Sequence, residues 1–223
     1  MIYAFHEDAG VKQLILKGES YKYLIRVRRH KIADLLSFRS LKDIKMLHTY
    51  KIVELEPKKV FLELVHSEFL EVKSKRDLHI GWCKVDFKSI EKVLPSLSEI
   101  GVHKITFIEC ERSQRNVKID YKRLDRILEA SMQQCGSTHK IILEESKSLK
   151  SFIALNKDAK VFDFVEKTLD EIEDVRTVVI GCEGGFSPSE KVFLSTLEVF
   201  RLDTPMVLRS ESAVMAVASK VLV

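Results

Sequence analysis

The chain has 223 residues, 45% of them apolar and 31% charged, with a formal net charge of +4. That length suits one large domain or two small ones, and the composition is that of a globular protein; no apolar run is long enough for a membrane span and no secretory leader is expected. The four cysteines (Cys83, Cys110, Cys135, Cys182) are scattered without a C-x-x-C pair, so a reduced, cytoplasmic protein with no metal site is expected.

Residues 1–70 hold 13 Lys and Arg against 9 Asp and Glu, whereas residues 71–223 balance at 24 of each. Within residues 20–60 the count is 11 basic against 4 acidic. A small basic domain joined to a neutral larger one points to an anionic partner such as nucleic acid. Short strand-like runs fill this first part: Tyr23–Val27 with a basic end, then Ala33–Arg39, Met46–Leu55 and Val60–Val65, with a turn at Pro57-Lys58-Lys59. Several short strands with few helical patterns predict a small β-barrel over residues 1–70. Of its aromatics, Tyr21, Tyr23, Phe38 and Tyr50 could stack on bases, although core packing is the commoner use.

From residue 71 the pattern alternates. Strands are predicted at Leu78–Cys83, Lys104–Ile108, Lys140–Leu143, Val161–Phe164, Thr177–Ile180 and Val199–Leu202. Helices are predicted over Lys88–Ile100, Tyr121–Cys135, Ser148–Leu155 and from about Ser212 to Leu222, with Gly101 capping the first; an acidic segment covers residues 166–174. Such alternation implies an α/β domain with a mainly parallel sheet.

The stretch after Ile180 is distinctive. Gly181, Gly184 and Gly185 are three of the eight glycines, and Ser187-Pro188-Ser189-Glu190 reads as an N-cap, a first-turn proline and a capping box. Strand, glycine loop and helix start together bring backbone N–H groups toward a ligand, or simply make a turn. The loop is neither G-x-x-x-x-G-K-[ST] nor G-x-G-x-x-G, and it lies near the chain's end rather than after a first strand. The site it serves must therefore be built from C-terminal loops.

These residues carry a resemblance. Ile180–Ser187 (IGCEGGFS) is similar to the I-G-P-E-G-G-[FL]-S motif of the RsmE family, small-subunit ribosomal RNA methyltransferases that act on a uridine ring nitrogen. Leu208–Ala213 (LRSESA) resembles the family's L-R-x-E-T-A motif. Gln133–Gly136 resembles its E-Q-C-G, Glu111–Ser113 the segment after its second strand, and Leu97–Val102 its E-L-G-V helix end. Tyr23–Leu36 resembles its H-L-x-x-V-L-R-x-x-x-G-D stretch. Cys182 stands for the family's proline, Ser212 for its threonine, Ala33 for its glycine and Tyr23 for its histidine.

The resemblance implies a SPOUT-type parallel sheet with a C-terminal trefoil knot over residues 71–223 and a PUA-like, RNA-binding β-barrel over 1–70. It implies S-adenosyl-L-methionine as cofactor, 16S rRNA of the small ribosomal subunit as partner, a homodimer, and methylation at the uridine N3. Carried onto this chain, Gly181, Glu183, Gly184, Gly185, Leu202, Pro205, Leu208, Ser212 and Ala213 would hold the cofactor. Arg209 would orient the base or offset its developing charge, with Glu211 fixing Arg209 or supporting the helix start. Arg26, Arg28, Arg29 and Lys31 are expected to contact phosphates. The alternatives are a methyltransferase of the same fold acting on another RNA or base position, and a non-catalytic RNA-binding ribosome-assembly protein.

Overall fold

A computed structural model describes residues 2–114, 117–172 and 174–223. Glu173, part of the acidic segment, lies outside the described residues. The chain divides into two compact units, Met1–Val72 with Gln133–Thr138, and Lys73–Met132 with His139–Val223.

The first unit is a five-stranded sheet. Its strands are β1 (Ala4–Phe5), β2 (Gln13–Lys17), β3 (Leu35–Ser40), β4 (Asp43–Glu56) and β5 (Lys59–Phe69), in the order β1-β3-β4-β5-β2. Among the described residues of this sheet only the β1–β3 pair is parallel. In β2, Gln-Leu-Ile-Leu-Lys alternates in burial, with Leu14 and Leu16 turned into the core beside Phe38, Tyr50, Ile52 and Leu62. That alternation is the period of a half-buried strand. Arg39 is 1% exposed; it donates to the Ile44 carbonyl at 2.8 Å and its guanidinium lies 5.0 Å from the Tyr3 ring centre.

Tyr23–Val27 is not a strand. A short helix α1 (Gly18–Tyr21) runs into a π-helical turn, Lys22–Val27. The β-favouring side chains Tyr23, Ile25 and Val27 suggest extension, but Tyr21 and Leu24, three apart, both reach the core. Glu19 and Lys22 also pair at 2.7 Å across one turn. Burial of a helical face thus overrides a weak local preference.

The second unit is a six-stranded sheet, parallel throughout, made of β6 (His79–Cys83), β7 (Lys104–Ile108), β8 (Ile142–Ser146), β9 (Lys160–Phe162), β10 (Thr177–Ile180) and β11 (Val199–Phe200). The order is β11-β9-β10-β6-β7-β8. Helices α2 (Phe87–Ile100), α3 (Tyr121–Cys135), α4 (Leu149–Leu155), α5 (Pro188–Leu194) and α6 (Ser210–Leu222) complete it. Val178, Val179 and Ile180 are almost wholly buried, as the uninterrupted apolar run requires of a central parallel strand. The chain grows from β6 to β8 on one side, then crosses to β9 and returns to β10. The loops after neighbouring β6 and β10 therefore leave in opposite directions, and such switch points leave a crevice at the strands' carboxyl ends. Strand β8 lies later than Lys140–Leu143 because this edge strand tolerates the polar Glu144-Glu145-Ser146 run.

The cysteines are not all free. Cys83 and Cys110 form a disulfide, their Cα atoms 5.8 Å apart. The pairing of Cys83 with Ile108 across β6 and β7 brings residue 110 within reach, which a spacing of 27 in sequence conceals. Among the described residues no helix is long and apolar enough to cross a membrane, and no group of three or more His, Cys, Asp or Glu could hold a metal ion.

Candidate functional site

The loop after β10 is closed by its own polar groups. Ser187 Oγ accepts from the Glu190 N–H at 3.1 Å, and Glu190 Oε2 accepts from the Ser187 N–H at 2.9 Å. This reciprocal capping box starts α5, with Pro188 in its first turn. Glu190 is only 7% exposed, and its second oxygen accepts from the Glu111 N–H at 2.9 Å, so the buried carboxylate has partners at both oxygens. Gly185 has φ +62°, and a Cβ built there would meet nothing within 4 Å. At Gly181 a Cβ would come within 3.3 Å of the Gly185 backbone, so the turn folds tightly upon itself while leaving space at Gly185.

The segment following β7 straps this loop from outside. Arg112 donates to the Gly184 carbonyl at 2.8 Å, and the Cys182 thiol donates to the Arg112 carbonyl at 3.0 Å. Ser189 Oγ donates to Glu111 Oε1 at 2.9 Å. Cys182 thus has a structural partner, and burial pushes its thiol above the ordinary value, away from the reactive thiolate. The disulfide at Cys110 anchors the same segment to the end of β6.

A third connection joins the loop to α6. The Trp82 indole N–H donates to Ser210 Oγ at 2.8 Å, and Ser210 Oγ donates to the Gly181 carbonyl at 2.5 Å. Trp82 is fully buried and Ser210 is 5% exposed. The end of β6, the glycine loop and the first residue of α6 are therefore fixed to one another at the carboxyl edge of the sheet.

Beside them opens a cleft. The β10 loop supplies Ile180, Gly181, Cys182, Glu183, Gly185 and Phe186; the end of β9 supplies Phe162, Asp163 and Phe164; the approach to α6 supplies Val207, Leu208, Ser210 and Ala213. Its walls are apolar, and Asp163, which pairs with Lys191 at 2.7 Å, and Glu183 add acidic character. An apolar cleft with a few polar groups and close backbone is the usual form of a small-molecule site.

Of the expected cofactor residues, Gly181, Glu183, Gly185, Leu208 and Ala213 line this cleft. Gly184, Leu202, Pro205 and Ser212 do not. Gly184 lies against Arg112, Leu202 packs on the core, and Pro205 and Ser212 are exposed. Phe162, Asp163, Phe164 and Val207 were not legible as lining residues. For the first three the signal is topological, because β9 neighbours β10 only once the sheet order is known, whereas Val207 adjoins the expected Leu208.

Arg209 is exposed at the N-cap of α6, and among the described residues its side chain has no hydrogen bond or ion pair. Glu211 does not pair with it; Glu211 Oε2 is buried without a hydrogen-bond partner. On the other side of the switch point, Lys84 is buried between Glu109 at 2.9 Å and Glu145 at 2.6 Å, and Tyr121 donates to Glu145 at 2.8 Å. Burial opposes charge on Lys84, but the two carboxylates outweigh it and raise its pKa. This cluster satisfies itself. In the first unit, Arg26, Arg28, Arg29 and Lys31 are all exposed on the turn that follows α1.

Residues 72–222 match the RNA methyltransferase domain family. The chain is 39% identical to the ribosomal RNA small subunit methyltransferase E of Helicobacter pylori over 98% of both chains. It is 26% identical to the ribosomal RNA small subunit methyltransferase E 2 of Borreliella burgdorferi over 92% of this chain and 89% of that one. Its fold is similar to that of the Neisseria gonorrhoeae ribosomal RNA small subunit methyltransferase E solved with S-adenosyl methionine, with a TM-score of 0.76 at 17% identity, covering 99% of this chain and 96% of the other.

Proposed function

The chain belongs to the ribosomal RNA small subunit methyltransferase E family, and on that footing we propose that it transfers a methyl group from S-adenosyl-L-methionine to the N3 of a uridine in 16S rRNA. The observation that carries this reading is the cleft between the β10 loop and the start of α6. Open space at Gly185 and the apolar wall of Phe186, Val207, Leu208 and Ala213 suit an adenosine, while Glu183 suits the cationic end of the same molecule. When bound, the cofactor supplies an electrophilic methyl group on a sulfonium.

The chain's own residues then have three tasks. The glycine loop, held by Ser210, Arg112 and Glu190, keeps its backbone in one conformation, so little ordering remains on binding. Arg209, which has no side-chain partner among the described residues, faces solvent beside the cleft and offsets the negative charge that grows on the base as its N3 proton leaves. The target base must be unpaired or flipped out, because pairing hides that nitrogen. Arg26, Arg28, Arg29 and Lys31 dock the RNA backbone.

The finer assignments form part of the same proposal: residues 1–70 as a PUA-like barrel, residues 71–223 as a SPOUT domain whose C-terminal segment is knotted, a homodimer, and a cytoplasmic setting on the small subunit. The reversed strand order around β10 supports the SPOUT assignment, and the basic first third supports an RNA-binding first domain. The test is incubation of the purified chain with S-adenosyl-L-methionine and undermethylated small subunits, followed by mass spectrometry of 16S rRNA. Appearance of 3-methyluridine at one position is expected; methylation of another atom or none at all would overturn the assignment.

A further inference from the structure

Tyr3, Tyr21, Phe38 and Tyr50 are buried in the first unit, at 1%, 6%, 1% and 0% exposed. Phe69 differs, at 66% exposed, and so does Tyr23, at 40%. It sits in the π-helical turn Lys22–Val27, in which the Arg28 N–H reaches the Tyr23 carbonyl at 2.9 Å, five residues back. An α-helical turn would set Val27 over Tyr23; the wider turn sets Arg28 there instead. Arg28 Nη2 and Nε both donate to the Tyr23 hydroxyl oxygen, at 2.8 and 3.1 Å, and the guanidinium carbon lies 5.3 Å from the ring centre. The guanidinium is thus bound toward the hydroxyl end, and the ring is held in one orientation while part of it faces solvent.

The surroundings are equally unusual. Arg29 (φ 60°) and Ala33 (φ 75°) both adopt the left-handed conformation within five positions. Each is unfavourable for a residue with a Cβ, and such strain gathers where function maintains it. π-Turns are also frequent at functional sites. Lys22 is neutralised by Glu19, but Arg26, Arg29 and Lys31 have no side-chain partner among the described residues. An exposed aromatic held by one arginine, in a segment whose neighbouring cations are exposed, suits a single nucleic-acid strand, with cations following the phosphates and the ring taking a base face.

We infer that Tyr23, clamped by Arg28, is a stacking platform for an unpaired nucleobase of a single-stranded RNA segment. This rests on the RNA-docking reading above and adds to it the side chain that distinguishes single strand from duplex, whose base faces are already covered. The Tyr23 hydroxyl oxygen accepts from the guanidinium, which leaves its own proton for a phosphate or base oxygen.

The experiment is fluorescence anisotropy of the full chain with a labelled single-stranded RNA oligonucleotide and with the corresponding duplex, over a series of salt concentrations. The variants are Tyr23→Ala, Tyr23→Phe and the triple Arg26→Gln/Arg29→Gln/Lys31→Gln. Tyr23→Ala is expected to weaken single-strand binding about tenfold. It should leave duplex binding and the salt slope unchanged, and Tyr23→Phe should retain most of the affinity. The triple variant should lower the salt slope by about two, near 0.7 for each lost phosphate contact. If Tyr23→Ala binds like wild type while the triple variant is weakened, RNA docks here by phosphate contacts alone and the platform is refuted. A fall in salt slope for Tyr23→Ala would assign its effect to a displaced Arg28 and also refute stacking. If no variant changes binding, the docking reading fails together with the platform.

Discussion

The turn after β10 and the turn after α1 both leave regular backbone, yet their polar groups are used in opposite ways. Around Gly181–Ser187 the bonds close inward: Ser210 holds the Gly181 carbonyl, Arg112 the Gly184 carbonyl, and Glu190 the amides of Ser187 and Glu111. Around residues 18–33 the cations Arg26, Arg29 and Lys31 point outward without partners among the described residues. A closed network presents backbone and shape to a small ligand. An open set of cations is complete only when an anionic partner arrives, and its contribution depends on salt.

The largest expected effect lies in the strap that holds the closed turn. The Cys83–Cys110 bond encloses a loop of 27 residues' separation. By loop entropy it contributes about 3.5 kcal/mol. Cys110→Ser should lower urea-unfolding stability by about that amount, and the denatured wild-type chain should show two reactive thiols before reduction and four after. Four thiols before reduction would leave the strap to hydrogen bonds alone. Next is Arg209, which lies beside the closed turn and, like the cations of the open one, has no side-chain partner among the described residues. Arg209→Ala should lower methyl transfer at least about 100-fold, as loss of a charge-stabilising group does, with cofactor affinity nearly unchanged. Transfer at the wild-type rate would place charge stabilisation elsewhere.

Smaller effects sharpen the contrast. Ser210→Ala removes the link between Trp82 and Gly181 and leaves a buried indole N–H unsatisfied. A cost of about 2 kcal/mol in stability is expected. A double-mutant cycle with Trp82→Phe should show coupling of about 1 kcal/mol, whereas additive losses would mean that the two side chains act separately. Ala33→Gly relieves a left-handed residue in the open turn. It should stabilise the chain by about 0.5–1 kcal/mol, the relief exceeding the added unfolded-state entropy. A destabilised Ala33→Gly chain would show that this backbone carries no strain.

These two turns also differ in how far the sequence reveals them. Ser187-Pro188-Ser189-Glu190 names its own capping box, because every participant lies within four residues. The apolar run Thr177–Ile180 likewise marks a central parallel strand. By contrast, Tyr23–Val27 carries the side chains of a strand and becomes a π-turn because Tyr21 and Leu24 must be buried together. The strand Gln13–Lys17 is not among the strands predicted from the sequence; its five alternating residues are a weak signal beside the longer apolar runs. Trp82 and Ser210 are 128 residues apart, and Phe164 meets the cleft only because β9 lies beside β10. Such contacts follow from topology, which local pattern does not contain. Ala33 shows the converse: a residue where the family resemblance expects glycine takes the glycine-like φ all the same.

Calorimetric titration with S-adenosyl-L-methionine tests the closed turn most directly when wild type is set beside Val207→Arg. Val207 lines the cleft yet is 78% exposed, so its replacement leaves the core intact. Saturable binding by the wild-type chain is predicted, weakened at least about tenfold by the added cation at the cleft wall, as a few kcal/mol of like-charge repulsion requires. Absence of binding by wild type, or equal affinity in both proteins, would contradict the assignment of this cleft to the cofactor.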